Sequence, residues 1–173
     1  MTRLFFCLKL SEAQQQQVLA YQQQALSLCP QAKAVASDNL HLTLFFLGEV
    51  DAQQQLRLIA AANTISSPAF ALTLDHLACF AKPEILYVAP SQVPAPLTAL
   101  QQQVAALCKA EGFNDIHDTY RPHITLARHA KCSPALHQSL APVTLQINQY
   151  ALYCSARQDD RLQYRPLHCF ALR

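Results

Sequence analysis

The sequence predicts an α+β fold of two lobes related by an approximate two-fold axis. Two small, mainly antiparallel sheets line a central cleft, and helices cover the outer faces. Three observations carry this expectation. Strand-like and helix-like segments alternate along all 173 residues. The order strand, long helix, histidine-bearing strand, second helix, strand occurs twice. Short connections near residues 80–84, 148–150 and 156–161 join strand to strand, which favours antiparallel pairing. The chain therefore reads as one bilobed domain over 1–173, with approximate halves 1–80 and 81–173 and with terminal strands free to cross between lobes.

Each element has its own local reason. Arg3–Leu10 is aromatic and apolar, a strand. Ser11 and Glu12 start a helix that runs to about Cys29, where Pro30 ends it. The glutamines in QQQQVLAYQQQALSLC form its polar face, between Val18, Leu19, Leu26 and Leu28. Leu40–Leu47 is a strand stopped by Gly48, and Asp51 caps a second helix to about Thr64. Phe70–Phe80 alternates as a strand does. Glu84–Ala89 is a strand, Pro96–Glu111 a helix closed by Gly112, and His123–Arg128 a strand. Ser133-Pro134 is a good cap and first turn for a short helix over Ser133–Leu140. Val143–Asn148, Tyr150–Ser155 and Leu162–Leu172 supply the last strands.

Composition narrows the function. With 51% hydrophobic and 14% charged residues the chain is no disordered segment, and it has material for a sizeable core. A net charge of +2 without any Lys/Arg run argues against a long non-specific nucleic-acid track. A phosphate-bearing ligand would meet a few placed residues instead. Seven cysteines without a CxxC pair fit neither a zinc site nor a disulfide framework and read as small buried hydrophobes of a reducing compartment. Two glycines leave no room for a Gly-rich phosphate loop. MTRLFFCLKL is too short in apolar residues for a signal peptide, and no run approaches a membrane span. The expectation is a cytoplasmic monomer that needs no cofactor or metal.

One phrase repeats. HLTL at 41–44 returns as HITL at 123–126. Side chains alternate along a strand, so His41 and Thr43 share one face, as do His123 and Thr125. Leu42, Leu44, Ile124 and Leu126 take the other face, under the helices. Matched lobes would bring the two polar faces together across a groove. One imidazole could then deprotonate a nucleophile while the other protonates a leaving oxygen, because the ordinary histidine pKa of about 6.5 lies near working pH. Two hydroxyls could bind the non-bridging oxygens of a phosphate. One imidazole per strand is a poor metal set. Chance likeness between two strands remains the alternative at this point. By parity Arg121 faces with His123 and Arg128 faces away, while Phe45 shares the face of His41 and could stack on a base. His76, His117, His129, His137 and His168 have no partner at a telling spacing.

HLTLFFLGEV at 41–50 and RPHITLAR at 121–128 resemble the paired signatures of the two-histidine phosphoesterase family. RLFFCL at 3–8, CFAKPEILYV at 79–88 and LYCS at 152–155 lie in the family's usual places, so the likeness covers nearly the whole chain. Ala78 and Cys79 stand where the family commonly has glycine. The resemblance implies a bilobed fold with a central cleft. It implies opening of a terminal 2',3'-cyclic phosphate on RNA to a 2'-phosphate, with slow, reversible 2'-5' end joining. By position, His41 would be the general acid on the departing 3' oxygen and His123 the general base. Thr43, Thr125 and Arg128 would hold the phosphate, and RNA 3' ends, such as tRNA fragments, would be the partners. Two alternatives stay open: a non-catalytic binder of RNA ends or nucleotides, and the same chemistry on a small cyclic phosphate.

Overall fold

The computed structural model of the protein describes residues 1–133 and 136–173. Among the described residues nine strands are formed: β1 (Thr2–Leu8), β2 (Lys33–Ala34), β3 (Leu42–Val50), β4 (Phe70–Phe80), β5 (Ile85–Ala89), β6 (Ile124–Arg128), β7 (His137–Ile147), β8 (Gln149–Gln158) and β9 (Arg161–Ala171). Three helices accompany them: α1 (Glu12–Leu28), α2 (Ala52–Ala62) and α3 (Ala95–Ala110). The glutamine runs begin two of these. The Ser11 hydroxyl accepts the Gln14 N–H while the Gln14 side chain accepts the Ser11 N–H, and Asp51 with Gln54 repeats the arrangement. Among the described residues no helix is long and apolar enough to cross a membrane.

The strands do not form two sheets. They form one, in the order β7-β4-β5-β6-β3-β1-β8-β9, with β2 on β6, and every registered pair is antiparallel. The two groups predicted as separate sheets are joined between β3 and β6 by one residue pair, Leu42 with Ile124. The sequence halves also exchange strands. β4 from the first half lies beside β5 and β7, and β8 and β9 from the second lie beside β1. Leu42, Leu44, Ile124 and Leu126 are buried in the same cluster as Val18 and Ala25 of α1, Leu58 of α2, and Leu97, Leu100 and Val104 of α3. α1 packs on β6 and α3 on β3. Burying each of these leucines and isoleucines stabilises the fold by roughly 1.5–3 kcal/mol. Cys7, Cys29, Cys79, Cys108 and Cys154 are buried with them.

Two local expectations are corrected. Gly48 does not stop the strand. β3 continues to Val50, and Gly48, at φ +78°, sits where Leu4 pairs with Gly48 and Phe5 with Phe46, leaving Leu47 as an extra residue. A positive φ at a bulge is where glycine costs least. The short helix expected over Ser133–Leu140 is displaced by β7, which already includes residues 137–140; Pro134 and Ala135 lie outside the described residues. Pairing of β7 with His76–Ala78 of β4 supplies main-chain partners that a helix of about two turns could not. Pro142 is tolerated because β7 is an outer strand and its register with β4 shifts there.

Candidate active site

His41 precedes β3 and His123 precedes β6, on either side of the Leu42–Ile124 junction. The two imidazoles are held alike. His41 Nδ1 donates to the carbonyl of Asn39 at 2.7 Å, and His123 Nδ1 donates to the carbonyl of Arg121 at 2.7 Å. A carbonyl only accepts, so each neutral ring carries its proton on Nδ1 and presents Nε2 for proton exchange. His41 Nε2 lies 3.0 Å from the Thr43 hydroxyl, which donates to it. His41, Thr43, His123 and Thr125 are all half-buried.

Each imidazole is walled by two aromatic rings. Phe5 lies 4.9 Å from His41 and Tyr164 stands edge-on to it at 5.0 Å. Phe80 stands edge-on to His123 at 5.2 Å, Tyr87 lies 5.3 Å away, and the two rings stack on each other at 4.2 Å. These walls withdraw water and so disfavour the charged forms. Burial is the main cause that lowers the His41 pKa to about 4, with further repulsion from His123 and Arg128. The His123 pKa is lowered too, chiefly by burial, with repulsion from His117 and Arg128. Burial pushes the Tyr87 hydroxyl up, and the Arg121 charge draws it partly back.

Simple alternation would turn Arg128 away from the histidines, but the strand is not regular. Thr125 pairs with Tyr87 and Ala127 with Leu86, so Leu126 is an extra residue. The bulge shifts parity by one and returns Arg128 to the face of His123, in keeping with its action on both imidazoles. β3 carries the same irregularity at the same place in the phrase. Thr43 pairs with Cys7 and Phe45 with Phe6, leaving Leu44 over. Here the consequence reverses an expectation. Phe45 does not line the cleft; it is 2% exposed, in the core beside Phe6. Phe46 stands across from Phe5 instead, half-buried, with the Arg3 guanidinium 5.9 Å from its ring centre. Phe46 thus occupies on the first strand the place of Arg128 on the second. Aligning HLTLFF with HITLAR was the available signal, and regular alternation obscured it.

Both bulges are braced from the helix side by glutamines. Gln22 of α1 donates from Nε2 to the carbonyls of Leu126 at 2.9 Å and Val35 at 2.7 Å. Gln101 of α3 directs Nε2 at the Leu44 carbonyl, a longer contact of 3.5 Å. Both side chains are buried. Tyr120 donates its hydroxyl to the Thr43 carbonyl at 3.1 Å and so links the segment before the second phrase to the first. His117, thought unremarkable, acts on His123. Among the described residues no group of three His, Cys, Asp or Glu side chains is placed to hold a metal ion.

A family profile described as the 2'-5' RNA ligase superfamily matches residues 11–159. The chain belongs to the 2'-5' RNA ligase superfamily. Within this superfamily it is 32% identical over 171 residues to the RNA 2',3'-cyclic phosphodiesterase of Escherichia coli K12, covering 98% of this chain and 96% of that one. The crystal structure of E. coli LigT complexed with 3'-AMP superimposes with a TM-score of 0.89 at 29% identity, covering 99% and 98% of the two chains. A Thermus thermophilus protein, TT0787, shares the fold at 22% identity and a TM-score of 0.78, covering 98% and 97% of the two chains. The α+β reading of the sequence and its assignment to this group of phosphoesterases agree with these matches.

Proposed function

We propose that the protein hydrolyses terminal 2',3'-cyclic phosphates on RNA to 2'-phosphates by metal-independent acid–base catalysis, with reversible 2'-5' joining as the reverse chemistry. The observation that carries this reading is the pair of imidazoles held alike at Nδ1, each carrying its lone pair on Nε2, that of His41 meeting the Thr43 hydroxyl, beside one arginine charge that reaches both. The E. coli relative named for this activity, similar over nearly the full length, supports the substrate.

In the proposed step the phosphate lies between the two Nε2 atoms. His123 Nε2 takes a proton from water as the water oxygen bonds to phosphorus. The P–O3' bond breaks, and Nε2–H of protonated His41 gives its proton to O3'. The phosphate remains on O2', and one proton has passed from His41 to His123. Thr125, and Thr43 once His41 Nε2 is protonated, donate hydrogen bonds to the non-bridging oxygens, and Arg128 balances their charge, with Arg121 at the flank of Tyr87. In free enzyme near neutral pH both rings are uncharged, since both pKa values are lowered. An anionic phosphate opposes that repulsion and favours a proton on His41. The depressed pKa then makes His41 a strong acid toward the alkoxide. The nucleobase of the terminal nucleotide stacks on Phe46.

The test is incubation of a defined oligonucleotide ending in a 2',3'-cyclic phosphate with the protein in EDTA. A 2'-phosphate product is expected. His41→Ala and His123→Ala should each slow turnover by about 10²–10⁴-fold. Persistence of the cyclic end, or full activity of both variants, would refute the reading.

A further inference from the structure

Asn39 lies two residues before His41 and is 7% exposed. A buried amide must find hydrogen-bond partners or destabilise the fold. Asn39 Nδ2 donates to the Leu162 carbonyl at 2.7 Å, and its Oδ1 accepts the Tyr164 N–H at 3.0 Å. These two groups flank Gln163 and point outward from β9, the last strand of the sheet. The side chain therefore stands where a residue of one more strand would stand, matching one C=O and one N–H as a ladder does. The main chain of the same residue does a second thing. Its N–H donates to the Ala36 carbonyl, closing a 3₁₀ turn at Ser37–Asn39, and its own carbonyl accepts from His41 Nδ1. Tyr164, whose N–H the amide holds, stands edge-on to the same imidazole.

We propose that Asn39 is a positioning residue for His41. Its amide clamps the free edge of β9, and this fixes both the carbonyl that holds Nδ1 and the tyrosine ring that closes the other side. The two carbonyls that hold the imidazoles are thereby supported by different means. His123 hangs on the carbonyl of Arg121, an exposed residue, whereas the support of His41 depends on a buried side chain. Loosening the clamp frees the Asn39 carbonyl to turn away. The neutral ring then moves its proton toward Nε2, the nitrogen needed for exchange, and loses its fixed aim. The kinetic part of this inference rests on the acid–base reading of His41; the structural part does not.

The experiment compares wild type, Asn39→Ala and Asn39→Asp by nitrogen NMR of the histidine rings near pH 8, together with kcat and KM on a cyclic-phosphate oligonucleotide. Asn39→Asp keeps the size and the acceptor for the Tyr164 N–H but loses the donor to Leu162, so it gives a reading should the alanine variant fail to fold. Expected are loss of the predominant Nδ1–H form at His41, an unchanged His123, a fall in kcat on the order of 10²-fold for Asn39→Ala, and little change in KM. Retention of the Nδ1–H form at His41 in a folded variant overturns the proposal, whatever happens to kcat. A shift at His41 with kcat intact upholds the clamp and refutes the acid–base role of His41 instead.

Discussion

His41 and His123 show how burial and neighbouring charge set the protonation of the two proposed acid–base groups before any ligand arrives. With its pKa near 4, His41 is neutral down to mildly acid pH, and the sign of its coupling to folding follows. The unfolded chain takes up that proton near pH 6.5, above the folded value, so the stability owed to a neutral His41 is present above pH 6.5 and is lost as pH falls from there toward 4. Urea melts of wild type and His41→Gln should show a steeper loss in the wild type across that window. Adding inorganic phosphate should raise the His41 pKa, because a nearby anion favours the imidazolium. A proton NMR titration with and without phosphate checks this, and Arg128→Gln should raise the ligand-free value as well. Two adjacent phenylalanines should separate cleanly. Phe45→Ala removes a core ring and should cost about 3–5 kcal/mol of stability in denaturant melts. Phe46→Ala should leave stability nearly unchanged and weaken oligonucleotide binding by about 1–3 kcal/mol, one lost stacking contact, measured as a rise in Kd or KM.

At the level of strands and helices, the bulges at Leu44 and Leu126 decide which residues leave the core face, and the buried glutamines hold them. Gln22→Leu leaves the Leu126 and Val35 carbonyls without the donor they share. The Leu126 carbonyl keeps the Val35 N–H, so the loss falls on the Val35 carbonyl; the substitution should cost about 1–3 kcal/mol in the melt and, by loosening the bulge, release Arg128, seen as weaker phosphate binding. These features mark how far the sequence could be read. The helices were legible because capping residues and periodicity announce them locally: Ser11 with Gln14, Asp51 with Gln54. The His-x-Thr faces were legible because His41 and Thr43, like His123 and Thr125, lie before the bulges, where alternation still holds. Phe46 and Arg128 lie beyond, and an inserted residue reverses every later side chain while leaving no mark of its own in the letters. Gln22 and Gln101 read as solvated face because nothing local distinguishes a glutamine that faces a carbonyl from its neighbours in QQQ. Joining the predicted sheets into one was likewise invisible, since a single pair between β3 and β6 is a tertiary event.

For the molecule as a whole, the decisive place is that junction. The two halves of the sheet meet at Leu42 and Ile124, both fully buried, and the Tyr120 hydroxyl bond to Thr43 crosses the same line. Tyr120→Phe should reduce stability by about 0.5–1.5 kcal/mol in urea, the range for one hydrogen bond. It should also speed amide hydrogen exchange at residues 42–44 relative to the centre of β8–β9. The junction has a mechanical meaning as well. A sheet joined by one pair behaves as two stiff plates sharing a crease. The angle of the crease is set by the volume of the side chains beneath it, not by a ladder of backbone bonds. Trimming that volume, as in Ile124→Val, should alter the tilt between the plates, and with it the angle at which the two proposed catalytic imidazoles face each other.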